Sequence, residues 1–340
     1  MRIIFFYNED WEAGYIKERV LGQDISFLKG TIADYPDLRD EQVEMISVFV
    51  NSRVGKNTLD KFPNLKHIVT RSTGFDHIDS DETKARWISV SYVPTYGQNT
   101  VAEFSFALLL ALSRKILLCE KRVHNESLFS QTEELRGFDL EGKTMGVVGT
   151  GHIGQYVIRI AKGFGMNVVA FDAFPKQEMA EKLGFSYASL DELLAQSDVV
   201  SMHLPYMKET HHILNMKNIH KMKKGSILIN TARGGLIETA AIAYGLREGI
   251  FSGAGLDVLE EEMFIEDETK LVFNENPDVS DLKITLENHY IIEHPRTIVS
   301  PHNAFNTKEA ICRILDTTIE NMEAYIKGEQ KNLIPIENSK

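Results

Sequence analysis

The chain has 340 residues, 43% of them hydrophobic, and a formal net charge of -12, so it can bury a large core and is long enough for two domains. Its acids are spread along the chain and Lys and Arg are not clustered, which excludes a general nucleic-acid or anionic-membrane surface. Cys119 and Cys312, far apart and without CxxC spacing, suggest neither a disulfide framework nor a zinc site, and no metal is expected.

In chain order, Ile3 to Tyr7 reads as a first β-strand, because this apolar run is too short for a signal-peptide core and passes straight into Asn8-Glu9-Asp10. Ser47 to Val50, Leu65 to Thr70 and Ile88 to Ser91 follow as strands, with amphipathic segments such as Asp40 to Ile46 between them. They suggest one small doubly wound domain. Pro94, Gly97 and Asn99 then punctuate the chain, and Thr100 opens a helical pattern, Val101 to about Lys121, that is apolar over much of its surface and is expected to be buried. Its most apolar part, Phe104 to Leu112, falls short of the roughly 20 residues of a membrane span, so a cytoplasmic protein without a membrane partner is expected. Strands recur at Thr144 to Val148, Asn167 to Phe171, Val199 to Leu204, Ser226 to Asn230, Gly253 to Asp257 and Thr297 to Ser300. Thr307 to about Gly328 reads as one amphipathic helix. This alternation of strands with helical patterns predicts an α/β fold with parallel sheets.

The most specific motif is Gly149-Thr150-Gly151-His152-Ile153-Gly154, a GxGxxG directly after a predicted strand and opening a predicted helix, Gln155 to Phe164. Gly149 serves the tight turn, Gly151 lets the backbone approach a pyrophosphate, and Gly154 lets helix and strand pack closely. The helix N-terminus supplies N–H groups and partial positive charge. Asp172 ends the next strand, placed to hold the adenosine ribose hydroxyls. The same carboxylate would repel a 2′-phosphate, which favours NAD over NADP; Lys176 alone argues otherwise.

Six blocks carry a wider resemblance: RSTGFDHID (Arg71 to Asp79), VVGTGHIG (Val147 to Gly154), HLPYMKETHHILN (His203 to Asn215), NTARGGLIE (Asn230 to Glu238), GLDVLEEE (Gly255 to Glu262) and SPHNAF (Ser300 to Phe305). In this order, and over nearly the whole chain, they resemble the D-2-hydroxyacid dehydrogenase family, and within it the D-lactate dehydrogenases. The resemblance implies two doubly wound parallel-sheet domains. One is a flavodoxin-like catalytic domain, residues 1–99 plus 300–340, and the other an inserted Rossmann NAD-binding domain, residues 100–299. It also implies a homodimer formed through the 101–121 helix region, and a small 2-keto or 2-hydroxy acid as the other reactant.

Hydride transfer at C2 of such an acid needs a proton donor or acceptor for the oxygen, a cation for the carboxylate and developing charge, and a dinucleotide nearby. Arg233, between the apolar strand Ile227-Leu228-Ile229 and Gly234-Gly235, offers a fork that grips a carboxylate, and the two glycines are expected to leave room beside it for substrate and cofactor. One histidine among 11 carries little weight by position; the family motif makes His302 the general acid/base. Its partner is a carboxylate that fixes the tautomer and raises the ring's pKa. Spacing alone does not choose among Glu260, Glu261 and Glu262, and the family position, five after Asp257, selects Glu262. The resemblance assigns Asp257, Thr231 and Ala232 to the nicotinamide side, and His203, Pro205 and Thr210 to the adenine and ribose side. The resemblance further implies that Thr73 and Gly74 supply backbone N–H groups to the substrate carboxylate and that Tyr96 matches the aromatic that closes over the substrate.

Some positions depart from the D-lactate pattern. Asn51 stands where an aromatic residue is usual, Met263 replaces a proline after the acidic run, and Asn306 stands where tyrosine is common. These leave open hydroxypyruvate, phosphoglycerate or branched-chain acids, with Arg53 or Lys56 as an extra anchor, while the long Phe264 to Pro295 stretch favours the D-lactate branch. A non-catalytic NADH-sensing corepressor is the competing class.

Overall fold

The computed structural model describes residues 1–262 and 279–334; Met263 and the 264–278 part of the long stretch lie outside the described residues. The chain divides into two compact units, Met1–Tyr96 with the chain from Thr307, and Gly97–Asn306.

The first unit is built on a five-stranded parallel sheet of β1 (Arg2–Tyr7), β2 (Asp24–Lys29), β3 (Val43–Val48), β4 (His67–Thr70) and β5 (Ser89–Ser91), in the order β2-β1-β3-β4-β5. Two predicted features change. β3 begins at Val43, inside the segment read as helical from Asp40 to Ile46, and Val43, Met45, Ile46 and Val48 are all fully buried. A strand covered on both faces does not alternate apolar with polar, so its pattern passes for a helix. β2 was not expected because it is a half-buried edge strand with charged ends, Asp24 and Lys29. The helix Lys308–Ile326, capped by the Thr307 hydroxyl accepting from the Ala310 amide at 3.2 Å, lays Leu315, Ile319 and Met322 on Ile3, Phe5, Met45 and Val69.

The second unit has a seven-stranded parallel sheet of β6 (Thr144–Val148), β7 (Asn167–Phe171), β8 (Ser186–Tyr187), β9 (Val199–Met202), β10 (Ser226–Asn230), β11 (Phe251–Leu256) and β12 (Thr297–Val299). Their order, β12-β11-β10-β9-β6-β7-β8, reverses direction at β6. Loops leaving β6 and β9 therefore open the crevice where such folds bind ligands, outside the carboxyl ends of the strands. Separate apolar clusters cover the two faces of the sheet.

The single helix expected over Val101 to Lys121 is two, Gln98–Ser113 and Ile116–Glu126, broken at Lys115 with φ +52°. Packing explains the break. The first helix puts Ala102, Phe106, Leu108 and Leu109 into the core, and it lies so near the sheet that a Cβ at Gly255 would meet Leu108 Cβ at 2.9 Å. The second buries no residue and exposes Ile116, Leu117 and Val123.

Candidate active site

The glycine loop leaves β6 with geometry suited to a dinucleotide. Gly149 has φ +102°, where a side chain is strained, and a Cβ there would lie 2.7 Å from the His203 carbonyl. At Gly154 a Cβ would strike Gly149 O at 2.0 Å, so only glycine lets the helix His152–Gly163 start so close to the strand. A Cβ at Gly151 would meet nothing within 4 Å. Open space thus lies in front of the helix N-terminus, whose first amides, at His152 and Ile153, have no partner within the helix.

Across the switch point, His203 donates its backbone N–H to Val148 O at 2.7 Å, its Nε2 pairs with Ser201 Oγ at 2.7 Å, and its Nδ1 is buried without a hydrogen-bond partner. Burial pushes this ring down to about 3, so it is neutral. Asp172 follows β7. Its Oδ2 accepts from the Thr150 amide at 2.7 Å and hydroxyl at 2.8 Å, and its Oδ1 accepts from the Phe174 amide at 2.9 Å. Burial pushes this carboxyl up, but those hydrogen bonds and nearby Lys176 outweigh it, and the group lies below its ordinary value. A charged carboxylate with lone pairs to spare beside the glycine loop, together with the orphaned His203 nitrogen, fits a dinucleotide. Thr210 is different: its hydroxyl donates to Pro205 O at 2.7 Å and accepts from the Met207 amide at 2.8 Å, closing its own loop.

Three neighbouring strand ends carry predicted site residues. β10, β11 and β12 are in register, with Asn230 beside Leu256 and Leu256 beside Val299, and each runs on by a few residues to Arg233, Asp257 and His302. Backbone bonds continue the sheet past its edge: the Asp257 amide donates to Asn230 O and the His302 amide to Asp257 O, both at 2.9 Å. Asn230, which the sequence reading passed over, fixes the first turn. Its Oδ1 accepts from the Ala232 amide at 3.0 Å and its Nδ2 donates to Arg233 O at 2.9 Å. An amide side chain ending the apolar run Ile227-Leu228-Ile229 was the available signal, and Asn230 proves to be 1% exposed. Arg233 is half-buried and donates from Nη1 to Ala232 O at 2.8 Å. The buried hydroxyl of Thr231 pairs with Ser105 Oγ at 2.8 Å.

Gly234 and Gly235 do not leave the room the sequence suggested. A Cβ at Gly234 would lie 2.0 Å from Leu259 O, and one at Gly235 would lie 2.6 Å from the Tyr206 ring. These glycines admit other parts of the protein, and thereby bring the segment after β11 against the Arg233 turn.

That segment resolves the three glutamates. Glu261 has φ +52°, and the acids on either side of it find different partners. Glu260 binds His212 Nε2 at 2.6 Å and the Thr239 hydroxyl at 2.7 Å, whereas Glu262 Oε2 lies 3.4 Å from His302 Nδ1. The His302 and Glu262 side chains are 37% and 40% exposed, open to an incoming molecule. Asp257 is 1% exposed, and its carboxylate accepts from the Ser300 hydroxyl at 2.6 Å and from the Asn303 and Ala304 amides at 2.8 Å each. Burial pushes its carboxyl up, against those hydrogen bonds and His302. Asp257 therefore holds the turn in which His302 takes a left-handed conformation, φ +51°.

Thr73, Gly74 and Tyr96 belong to the first unit. The Thr73 hydroxyl donates to Val93 O at 2.8 Å, and the Ser72 hydroxyl donates to Gly74 O at 2.6 Å, shaping the turn after β4. Tyr96 O accepts from Arg313 Nε. Asn51, Arg53 and Lys56 are exposed.

Comparison with known proteins shows the family. The family described as D-isomer specific 2-hydroxyacid dehydrogenase, NAD binding domain, matches residues 106–304. The D-lactate dehydrogenase of Escherichia coli is 31% identical over 97% of this chain and 98% of its own length, and a glyoxylate reductase of Thermococcus litoralis is 33% identical over 85% and 82%. The structure of the Aquifex aeolicus D-lactate dehydrogenase with NAD and lactic acid superposes with a TM-score of 0.82 at 35% identity, covering 96% of each chain. The cofactor is NAD, and the chain belongs to the D-isomer specific 2-hydroxyacid dehydrogenase family.

Proposed function

We propose that this protein reduces pyruvate to D-lactate with NADH, reversibly. The observation that carries the reading is that β10, β11 and β12 are adjacent and in register, so that the turns after them bear Arg233, Asp257 and His302, with Glu262 Oε2 3.4 Å from His302 Nδ1. Arg233 would grip the substrate carboxylate and stabilise charge on the 2-keto oxygen. His302 presents Nδ1 to Glu262, which leaves Nε2 as the atom that gives its proton to that oxygen in reduction and takes it back in oxidation. Glu262 would orient the ring. NADH, when bound, supplies the hydride; Gly149, Gly151, His152, Ile153 and Gly154 would hold its pyrophosphate, Asp172 its ribose hydroxyls, and His203, Pro205 and Thr210 line its adenine side. Thr231 and Ala232 would stand at the nicotinamide side, Asp257 would act through the His302 turn that it holds, and Thr73, Gly74 and Tyr96 would contact the substrate.

Pyruvate is chosen because the family members named for D-lactate match the chain over nearly its full length. The exposed apolar side chains Ile116, Leu117, Val123, Leu128 and Phe129 fit a homodimer formed through the 116–126 helix. We place the enzyme in the cytoplasm, where its two free thiols stay reduced. The test is NADH oxidation by purified protein with pyruvate, glyoxylate, hydroxypyruvate and branched 2-keto acids. Highest kcat/KM with pyruvate is expected; turnover of another acid alone moves the substrate, and NADH binding without any turnover overturns the catalytic reading.

A further inference from the structure

We propose that His211, His212 and Glu260 form a binding site for a divalent transition-metal ion of the zinc class, apart from the reacting groups. Among the described residues, these three place ligand atoms all within 4.8 Å of one another. Two nitrogens and one carboxylate oxygen are a zinc ligand set, with a fourth position left to water. The cysteines offered no such site in sequence, and this one needs the fold, because Glu260 comes from the turn after β11 and the histidines from the loop after β9.

The supporting contacts already orient the donors. Thr239 donates its hydroxyl to Glu260 Oε2 at 2.7 Å, which turns Oε1 toward the histidines, where it meets His212 Nε2 at 2.6 Å. The His212 amide donates to Gly235 O at 2.9 Å, and Asn288 Nδ2 donates to Glu260 O at 2.7 Å, so both ligand-bearing backbones are held. Tyr206 Oη lies 3.1 Å from His211 Nδ1, leaving that ring's Nε2 available. Such partners behind the donors are what fix ligand orientation and tautomer at metal centres. The two rings are stacked, with centroids 3.7 Å apart and planes 25° from parallel. An ion would take the place of the proton between His212 and Glu260, and the exposed His211 ring would turn out of the stack to complete the set. Binding would then tie the 206–212 loop to Glu260.

The experiment is a titration of EDTA-stripped full-length protein with zinc chloride by calorimetry, and with cobalt(II) by visible absorption. One ion per chain is expected, with cobalt bands that report nitrogen ligation. His211→Ala is the decisive variant, because its side chain is exposed and its loss leaves the Glu260 contacts intact. It should melt at the same temperature as the parent in EDTA, bind zinc at least about tenfold more weakly and lose the cobalt bands. Stoichiometric binding that His211→Ala leaves unchanged, or no binding by the parent, overturns the proposal. His212→Asn disturbs the Glu260 pair and is read only beside its own melting curve in EDTA; if it folds, it too must lose the cobalt bands.

Discussion

Asp257→Asn separates two roles for a residue that sequence reasoning put beside the nicotinamide and the structure puts beneath the His302 turn. The carboxylate accepts three hydrogen bonds from Ser300, Asn303 and Ala304. An amide in its place keeps one acceptor oxygen and turns the other position into a donor. With the amide nitrogen at the Oδ2 position, the Ala304 N–H faces N–H, costing about 1.5–3 kcal/mol for the lost charge-assisted bond and about 1–3 kcal/mol for the stranded donor. Part is recovered, because burial disfavours the charge, as the raised carboxyl pKa of Asp257 reports. A net strain of about 2 kcal/mol on the turn, with tenfold for each 1.4 kcal/mol, predicts a fall in kcat of roughly 30-fold if the turn relaxes by moving His302. Steady-state kinetics with pyruvate and NADH would read it, alongside a melting curve to confirm folding. The expected result is a loss in kcat with the KM for NADH little changed. A rise in that KM with kcat intact would place Asp257 on the cofactor and refute the positioning argument.

Arg233→Ala should remove about 3–4 kcal/mol of transition-state stabilisation, and His302→Ala about 10²- to 10⁴-fold in kcat; unchanged turnover in either removes that residue from the reaction. Gly154→Ala forces a Cβ onto Gly149 O at 2.0 Å, so a destabilisation of roughly 1–3 kcal/mol and weaker NADH binding are expected, measured by urea denaturation and fluorescence titration. Asp172→Ala should raise the KM for NADH more than that for NADPH; equal changes would take the carboxylate off the ribose. His67, in the first unit, and His203, in the second, are pushed down to about 4 and about 3 by burial. Both stay neutral in the folded protein while the unfolded chain protonates below its ordinary value of 6.5, so stability is lost as pH falls from 6.5 toward 4. Between pH 7 and 5.5 each ring should cost roughly 1 kcal/mol, and a urea midpoint constant over that interval would contradict the assignment.

What the sequence made legible follows physical type. Strands of the second unit other than the two-residue β8 were readable because Val147-Val148, Val168-Val169 and Ile227-Leu228-Ile229 are short β-branched or apolar runs bounded by turn residues, and the glycine loop because its three glycines stand at fixed offsets from β6. β3 was misread because burial on both faces erases the period of two, and the helix break at Lys115 because Ser113-Arg114-Lys115 holds no Gly, Pro or Asn to announce a left-handed residue. The same limit governs the site. Arg233 stood out as a charge at the end of a buried strand, yet the purpose of Gly234 and Gly235 depended on Leu259 and Tyr206, which are distant in sequence.

The acidic run shows why spacing fails at the last step. Glu260, Glu261 and Glu262 are chemically identical, and a consecutive run in a turn has no period from which to assign faces. One left-handed residue, Glu261, makes the difference: with φ +52° between them, Glu260 joins Thr239 and His212 while Glu262 reaches His302. Glu260→Gln and Glu262→Gln should therefore fail differently. The first should lower the melting temperature, since it breaks a largely buried pair. The second, 40% exposed, should leave it nearly unchanged and lower kcat instead. Equal losses of stability in both would mean that the turn does not separate their roles.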